Sequence, residues 1–116
     1  MMGLLSFLFP ASTSAQEAHE ALKLREAVLI DVREPREWKA GRAPGSRNVP
    51  LSRLGVRIGE LSPDRRYIVV CRSGSRSRSA TAQLRKAGLD AVNLKGGMHG
   101  WQRAGLPLEP RKARIV

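Results

Sequence analysis

The chain has 116 residues, 41% of them hydrophobic, which is enough for one domain with a modest core and too little for two. Cys71 is the only cysteine, so an intramolecular disulfide and a disulfide-stapled secreted scaffold are excluded. The formal net charge of +11 predicts a positive field that attracts anions. Because the basic residues are dispersed and only two Trp, one Tyr and two Phe could stack on bases, we expect no specific nucleic-acid partner.

Residues 1–13 form an apolar segment that precedes the first helix signal. Its apolar run is far shorter than the roughly 18 residues of a membrane span, and no Lys or Arg precedes it as in an export signal. We therefore expect no membrane span, docking of the segment on the domain or on a partner, and a cytoplasmic protein. The alternative is export, with residues 1–15 acting as a signal peptide. Ser14 and Glu17 have capping-box spacing, which predicts an amphipathic helix with His19 on its surface.

The next two elements are a buried strand and a short helix. The continuous apolar run at residues 28–30 predicts a strand covered on both faces. Asp31 follows it, where the carboxylate either caps the next turn or serves as a catalytic base, and we favour the cap. One helical turn is predicted for residues 35–39, closed by Gly41 and burying Trp38 in the core.

Three further elements lead to the middle of the chain. Residues 48–49 predict a minimal strand, and apolar residues at helical spacing predict a helix over residues 51–61. A turn at residues 62–64 then delivers the chain to the apolar run 67–70, which predicts another strand. Strands that alternate with helices indicate a parallel sheet with right-handed crossovers.

The candidate nucleophile, Cys71, follows the strand predicted for residues 67–70. The polar loop after it consists of Arg72, Ser73, Gly74, Ser75, Arg76 and Ser77. Its small residues let backbone N–H groups converge on one point, and the helix predicted for residues 79–87 directs its positive end there. The pattern predicts an anion-binding nest around the sulfur, where nearby Arg and a helix N-terminus lower a thiol pKa from about 8.5 to roughly 3.5–7.5.

The end of the chain carries one more strand and helix. The run 91–94 predicts the last strand, and Gly96-Gly97 predicts a tight turn before a short helix anchored by Trp101. We expect the basic tail, residues 111–116, to be frayed.

Three blocks of this sequence resemble the single-domain rhodaneses, which are sulfurtransferases. They are the loop CRSGSRS at 71–77, the block LIDVREPREW at 29–38, and Gly96-Gly97-Met98 through Trp101 with AGLP at 104–107. The chain departs from the family at 41–46, where it has GRAPGS instead of the usual Gly-His-Ile-Pro-Gly-Ala. The resemblance implies an α/β rhodanese-like fold over residues 14–110, with a central, mostly parallel sheet flanked by helices on both faces.

The resemblance also implies a chemistry for Cys71. Its thiolate would take sulfane sulfur from a small anionic donor such as thiosulfate, hold it as a persulfide, and pass it to cyanide or to a thiol, including that of a thioredoxin-like protein. Arg72 and Arg76 are assigned to donor binding and thiolate stabilisation, or else to ordinary surface charge. No cofactor, metal or general base is implied.

The same loop is compatible with two other functions, which make different demands on its residues. A cysteine phosphatase or arsenate reductase would need an Arg six residues after the nucleophile, and that position is Ser77. The remaining alternative is a non-catalytic rhodanese-like module for partner binding or persulfide delivery.

Overall fold

The fold is built on one parallel sheet, seen in a computed structural model that describes residues 11–116. Most of the apolar segment predicted for residues 1–13 therefore lies outside the described residues. The five strands of the sheet are β1 (Ser12–Thr13), β2 (Val28–Asp31), β3 (Arg47–Asn48), β4 (Arg66–Val70) and β5 (Asp90–Leu94). All neighbouring pairs are parallel, in the spatial order β1-β5-β4-β2-β3. The α/β fold prediction is confirmed.

Helices connect the strands and cover both faces of the sheet. They are α1 (Ala15–Lys23), α2 (Pro35–Ala40), α3 (Leu51–Arg57), α4 (Ser75–Lys86) and α5 (Gly97–Arg103), with a 3-10 turn at Ile58–Glu60 after α3. Within residues 11–116, none of the helices has the length and apolar character needed to cross a bilayer.

The sheet separates two hydrophobic cores. Because successive strand residues point to opposite faces, Ile68 and Val70 enter the core that α1 and α5 cover, whereas Tyr67 and Val69 enter the core that α3 and α4 cover. Cys71 continues the second series and belongs to the second core. The candidate nucleophile is thus buried among the packed side chains of the second core.

The start of α1 agrees with its sequence signal. The Glu17 N–H donates to Ser14 Oγ and the Ser14 N–H donates to Glu17 Oε1, both at 3.1 Å, which completes the capping box. His19 is half-buried instead of lying on the open surface, because its ring contacts the Trp101 ring edge-on at a centroid distance of 5.6 Å.

Several element boundaries differ from the prediction. The helix α4 begins at Ser75, four residues before the predicted start at 79, because Gly74 has a φ of 125° and turns the chain directly into the helix. Ser77 therefore lies in the first turn of α4 and not in the loop. The strand β3 covers residues 47–48 instead of 48–49, and the helix predicted over 51–61 ends in a 3-10 turn at residues 58–60.

Trp38 is partly buried and does not belong to the core, contrary to the prediction. The buried residue of α2 is Glu37. Trp38, the next residue in the helix, is directed less deeply into the domain and stays partly exposed. Its Nε1–H donates to Ser46 Oγ at 2.9 Å, and the guanidinium of Arg42 lies 4.3 Å from its ring centroid. A hydrogen bond and a cation–π contact replace the expected core packing.

The C-terminal tail is docked on the domain, so the expectation of a frayed terminus is wrong. The Arg114 N–H donates to the carbonyl oxygen of Ala40 at 2.9 Å. Ile115 packs against the first core. A backbone hydrogen bond and apolar packing thus hold the tail against the domain.

A buried ion pair holds the end of β2. The Arg33 N–H donates to Asp31 Oδ1 at 3.0 Å, which is the predicted turn cap. The Arg33 guanidinium also donates to the same carboxylate, with Nε–Oδ1 at 2.9 Å and Nη2–Oδ2 at 2.7 Å, and both side chains are 0% exposed. Since Nη2 donates to the Gly41 carbonyl at 2.7 Å as well, the pair ties β2 to the segment after α2.

Replacing Asp31 with Ala should lower the free energy of unfolding by about 3–5 kcal/mol, because it leaves the buried Arg33 cation without its partner. Urea unfolding measures this loss. The matched control is Glu60→Ala, which breaks an exposed 2.7 Å pair with Arg57 and should cost less than about 1 kcal/mol. Equal losses of unfolding free energy in the two variants would show that the buried pair stabilises the fold no more than the exposed pair does.

Candidate active site

Cys71 lies at the carboxyl end of β4, in the middle of the sheet, and is 1% exposed. The backbone at the start of α5 closes against it: the Met98 N–H donates to Cys71 O at 2.8 Å and the His99 N–H donates to Arg72 O at 3.1 Å. Gly97 has a φ of +60°, and a Cβ there would lie 2.5 Å from Arg72 O, so only glycine fits. The turn at Gly96-Gly97 therefore borders the loop that follows Cys71.

The Cys71 sulfur sits among hydrogen-bonding groups of its own loop. The N–H groups of Gly74 and Ser77 donate to Sγ at 3.1 and 3.3 Å, and the Ser77 hydroxyl lies 3.2 Å from it. Both N–H groups are available because the first N–H groups of a helix have no partner within the helix. Burial raises the pKa of the Cys71 thiol, but hydrogen bonds from Ser77, Gly74 and Ser73 outweigh it and leave the pKa below its ordinary value.

Besides the sulfur, the Ser77 hydroxyl has two further partners that were not predicted from the sequence. Its Oγ lies 2.5 Å from Asn93 Oδ1 and 3.1 Å from the Gly74 carbonyl oxygen. Ser77 is 0% exposed and Asn93 is 7% exposed, so solvent has little access to this contact. The available signal was a polar residue within the otherwise apolar run 91–94.

Arg76, which was assigned to the anion, is bound to a carboxylate. Its Nη1 and Nη2 donate to the two oxygens of Glu37 at 2.7 and 3.0 Å. Arg76 holds the pKa of Glu37 at about 2 despite the burial of that carboxyl. The pKa of Arg76 is in turn raised, chiefly by Glu37 and to a smaller extent by the charge of Cys71. Arg76 directly precedes Ser77, whose N–H group and hydroxyl contact the Cys71 sulfur.

The rest of the predicted loop forms an exposed rim. Arg72, Ser73 and Ser75 are exposed, whereas Gly74 is buried. The exposed Arg72 guanidinium makes no hydrogen bond or ion pair with other side chains or carbonyl groups of residues 11–116. In the same part of the chain, no three His, Cys, Asp or Glu side chains come together as a metal site.

The match to a protein family decides the identity of this domain. The rhodanese-like domain model matches residues 14–104. The chain belongs to the rhodanese-like family. The match ends before residue 110, so the predicted domain limit there and the division of the remaining chain stay predictions.

Similar proteins carry sulfurtransferase names. This rhodanese-like chain is 38% identical over 84 residues to a sulfurtransferase of Allochromatium vinosum, which covers 72% of this chain and 78% of that protein. It is 37% identical over 95 residues to the thiosulfate sulfurtransferase GlpE of Actinobacillus succinogenes, over 81% of this chain and 86% of that one. A crystal structure of a rhodanese-related protein from Thermoplasma volcanium superposes with a TM-score of 0.81 at 34% identity, covering 87% and 98% of the two chains.

The rate of alkylation of Cys71 by a small neutral reagent, measured against pH, should show a midpoint below the ordinary thiol value. The N–H donors stabilise the thiolate, so unfolding the chain should raise this midpoint. Because the unfolded thiol then binds its proton more tightly, the free energy of unfolding should increase with pH between the folded and unfolded pKa values. Cys71→Ser should lack that increase. A native midpoint at or above that of the unfolded chain would contradict the stabilised thiolate.

Proposed function

We propose that this rhodanese-like protein is a sulfurtransferase that moves sulfane sulfur from a small anionic donor such as thiosulfate, through a persulfide on Cys71, to a thiophilic acceptor. The observation that carries the proposal is the set of N–H donors within 3.3 Å of a single sulfur whose pKa is lowered. The sulfurtransferase names of its relatives support the general reaction class.

The first half-reaction needs only a nucleophile and an anion site. The Cys71 thiolate attacks the outer sulfur of thiosulfate, a new S–S bond forms, and the old S–S bond breaks so that sulfite leaves with the electron pair. The negative charge that remains is on the outer sulfur of the persulfide. The N–H groups of Gly74 and Ser77 stabilise the attacking thiolate, and no proton has to move in this step.

The second half-reaction restores the enzyme. Cyanide attacks the outer sulfur of the persulfide, the S–S bond breaks, thiocyanate leaves, and the Cys71 thiolate is regenerated. A thiolate acceptor, such as that of a thioredoxin-like protein, would become a persulfide in the same way. Because Cys71 is the only cysteine, no thiol of this chain can compete for the sulfur.

The same geometry argues against phosphoryl or arsenate chemistry. The position where those enzymes need an arginine is occupied by Ser77, which is buried against the sulfur. The neighbouring Arg76 is held by Glu37. Neither of these two positions therefore offers an unpaired guanidinium to clamp three oxygens of a tetrahedral oxyanion.

Thiosulfate should add one sulfur atom to each chain, and cyanide should remove it as thiocyanate. Intact-mass analysis measures both changes because the chain has a single thiol. Cys71→Ser should show neither change. A wild-type chain that folds but gains no sulfur from thiosulfate or from a persulfide donor would favour the non-catalytic module.

Arg72 and Arg76 should contribute in different ways. Arg72→Gln should raise KM for thiosulfate with little change in kcat, because a free surface cation gives uniform ground-state binding of the donor. Arg76→Gln should raise KM and also raise the alkylation midpoint of Cys71, because it removes a nearby cation and leaves the Glu37 carboxylate unpaired. Steady-state kinetics and pH-dependent alkylation measure the two effects.

The control for both variants is Arg65→Gln. Arg65 is exposed and lies just before the amino end of β4, whereas Cys71 follows the carboxyl end of the same strand. This variant removes the same formal charge from the whole protein without changing the loop. If its KM rises as much as that of Arg72→Gln, the effect belongs to net charge and not to the site.

A further inference from the structure

The Ser77 hydroxyl links the candidate nucleophile to a buried amide on the neighbouring strand. We propose that Asn93 is a positioning residue that acts through Ser77: when Cys71 ionises, the Asn93 amide turns from acceptor to donor towards Ser77 Oγ, so that the hydroxyl can donate a hydrogen bond to the Cys71 thiolate. The proposal rests on the function proposed above, in which this thiolate is the reacting group. Asn93 itself does not touch the sulfur.

The argument begins with the single proton of the Ser77 hydroxyl. Three acceptors surround Oγ: Asn93 Oδ1 at 2.5 Å, the Gly74 carbonyl at 3.1 Å and Cys71 Sγ at 3.2 Å. While Cys71 is a thiol, both donors have an acceptor: the S–H donates to Ser77 Oγ, and the Ser77 hydroxyl donates to Asn93 Oδ1. This arrangement matches the short distance to the amide oxygen.

Ionisation of Cys71 removes one proton from this chain of contacts. The Ser77 hydroxyl must then donate to the sulfur if it is to stabilise the thiolate. That would leave Ser77 Oγ and Asn93 Oδ1 facing each other as two acceptors 2.5 Å apart, which is repulsive. Rotating the amide by 180° about its terminal bond places Nδ2 where Oδ1 was, and the amide becomes a donor to Ser77. The hydrogen bonds then all run from Asn93 through Ser77 to Cys71.

The surroundings of Asn93 make the amide hard to replace. Asn93 is 7% exposed, and its N–H donates to the Ala11 carbonyl at 2.8 Å, so β5 holds its backbone between β4 and β1. Its side chain shares a face with Ala91 and the second core. Among side chains of this shape, an amide can both donate and accept, whereas a carboxylate only accepts and Leu does neither. Little water reaches the site to take over the missing role.

Two variants of Asn93 test the proposal by the alkylation midpoint of Cys71. Asn93→Leu should raise the midpoint by up to about one pH unit, because the amide supports the hydrogen bond from Ser77 to the charged sulfur without making that bond itself. Asn93→Asp should raise the midpoint further, because the carboxylate accepts the hydrogen bond of the Ser77 hydroxyl and repels the thiolate. Ser77→Ala should also raise it, and adding Asn93→Leu to Ser77→Ala should cause no further rise.

A matched control separates this effect from general disturbance of the site. Thr81 is 3% exposed and donates from Oγ1 to the Ser77 carbonyl at 2.7 Å, so it touches the same serine but not its hydroxyl. Thr81→Val removes that buried hydrogen bond and should leave the midpoint unchanged. A rise in Thr81→Val equal to that in Asn93→Leu would overturn the proposal.

The wild-type protein offers a test that does not depend on any variant folding. The side-chain amide resonances of Asn93 in ¹⁵N NMR spectra should shift with the same midpoint as alkylation of Cys71, and the shift should vanish in Cys71→Ser. Amide resonances that ignore the ionisation, or an Asn93→Leu effect that persists in Ser77→Ala, would overturn the proposal. Failure to form a persulfide would instead overturn the proposed function, since these midpoints are measured without a sulfur donor.

Discussion

The chemistry proposed for this protein depends on a short connection between β4 and α4. Residues 71–74 alone join the strand to the helix, so the first turn of α4 lies directly over the Cys71 sulfur. Helix N-terminal N–H groups normally bind water or a capping side chain, and here two of them bind sulfur. The connection keeps its shape because backbone N–H groups of α5 donate to the carbonyl oxygens of Cys71 and Arg72. Gly97 permits this close approach because it has no Cβ.

The long-range attraction of anions and the local stabilisation of charge on the Cys71 sulfur come from different groups, because arginines near the site are paired with carboxylates. The net charge of +11 attracts anions from solution. Close to the site, however, Arg33 is bound to Asp31 and Arg76 is bound to Glu37, and the former pair is fully buried. These guanidiniums support the fold and the loop more than they attract a ligand. Stabilisation of sulfur charge therefore falls mainly to backbone N–H groups and the Ser77 hydroxyl, which act over about 3 Å.

Local patterns in the sequence predicted the order of the elements from α1 to α5 and the candidate nucleophile, but not the two-residue strand β1. The apolar runs at 28–30, 67–70 and 91–94 became the three central strands, and the capping box of Ser14 and Glu17 became the start of α1. Each of these signals lies within a few residues, because hydrogen bonding and side-chain alternation within one element are local. The cysteine between an apolar run and a loop of small residues is a signal of the same kind.

Only the tertiary structure decided which distant groups surround that cysteine. Glu37 reaches Arg76 across 39 positions of sequence, and Asn93 reaches Ser77 across 16. Both contacts exist because β4 lies between β2 and β5, so the segments that follow or end those strands meet at one edge of the sheet. The sequence by itself determined the three central strands, the candidate nucleophile and the small residues that follow it. The order of the strands, which no local pattern encodes, decided that one loop arginine is neutralised and that the buried serine has an amide behind it.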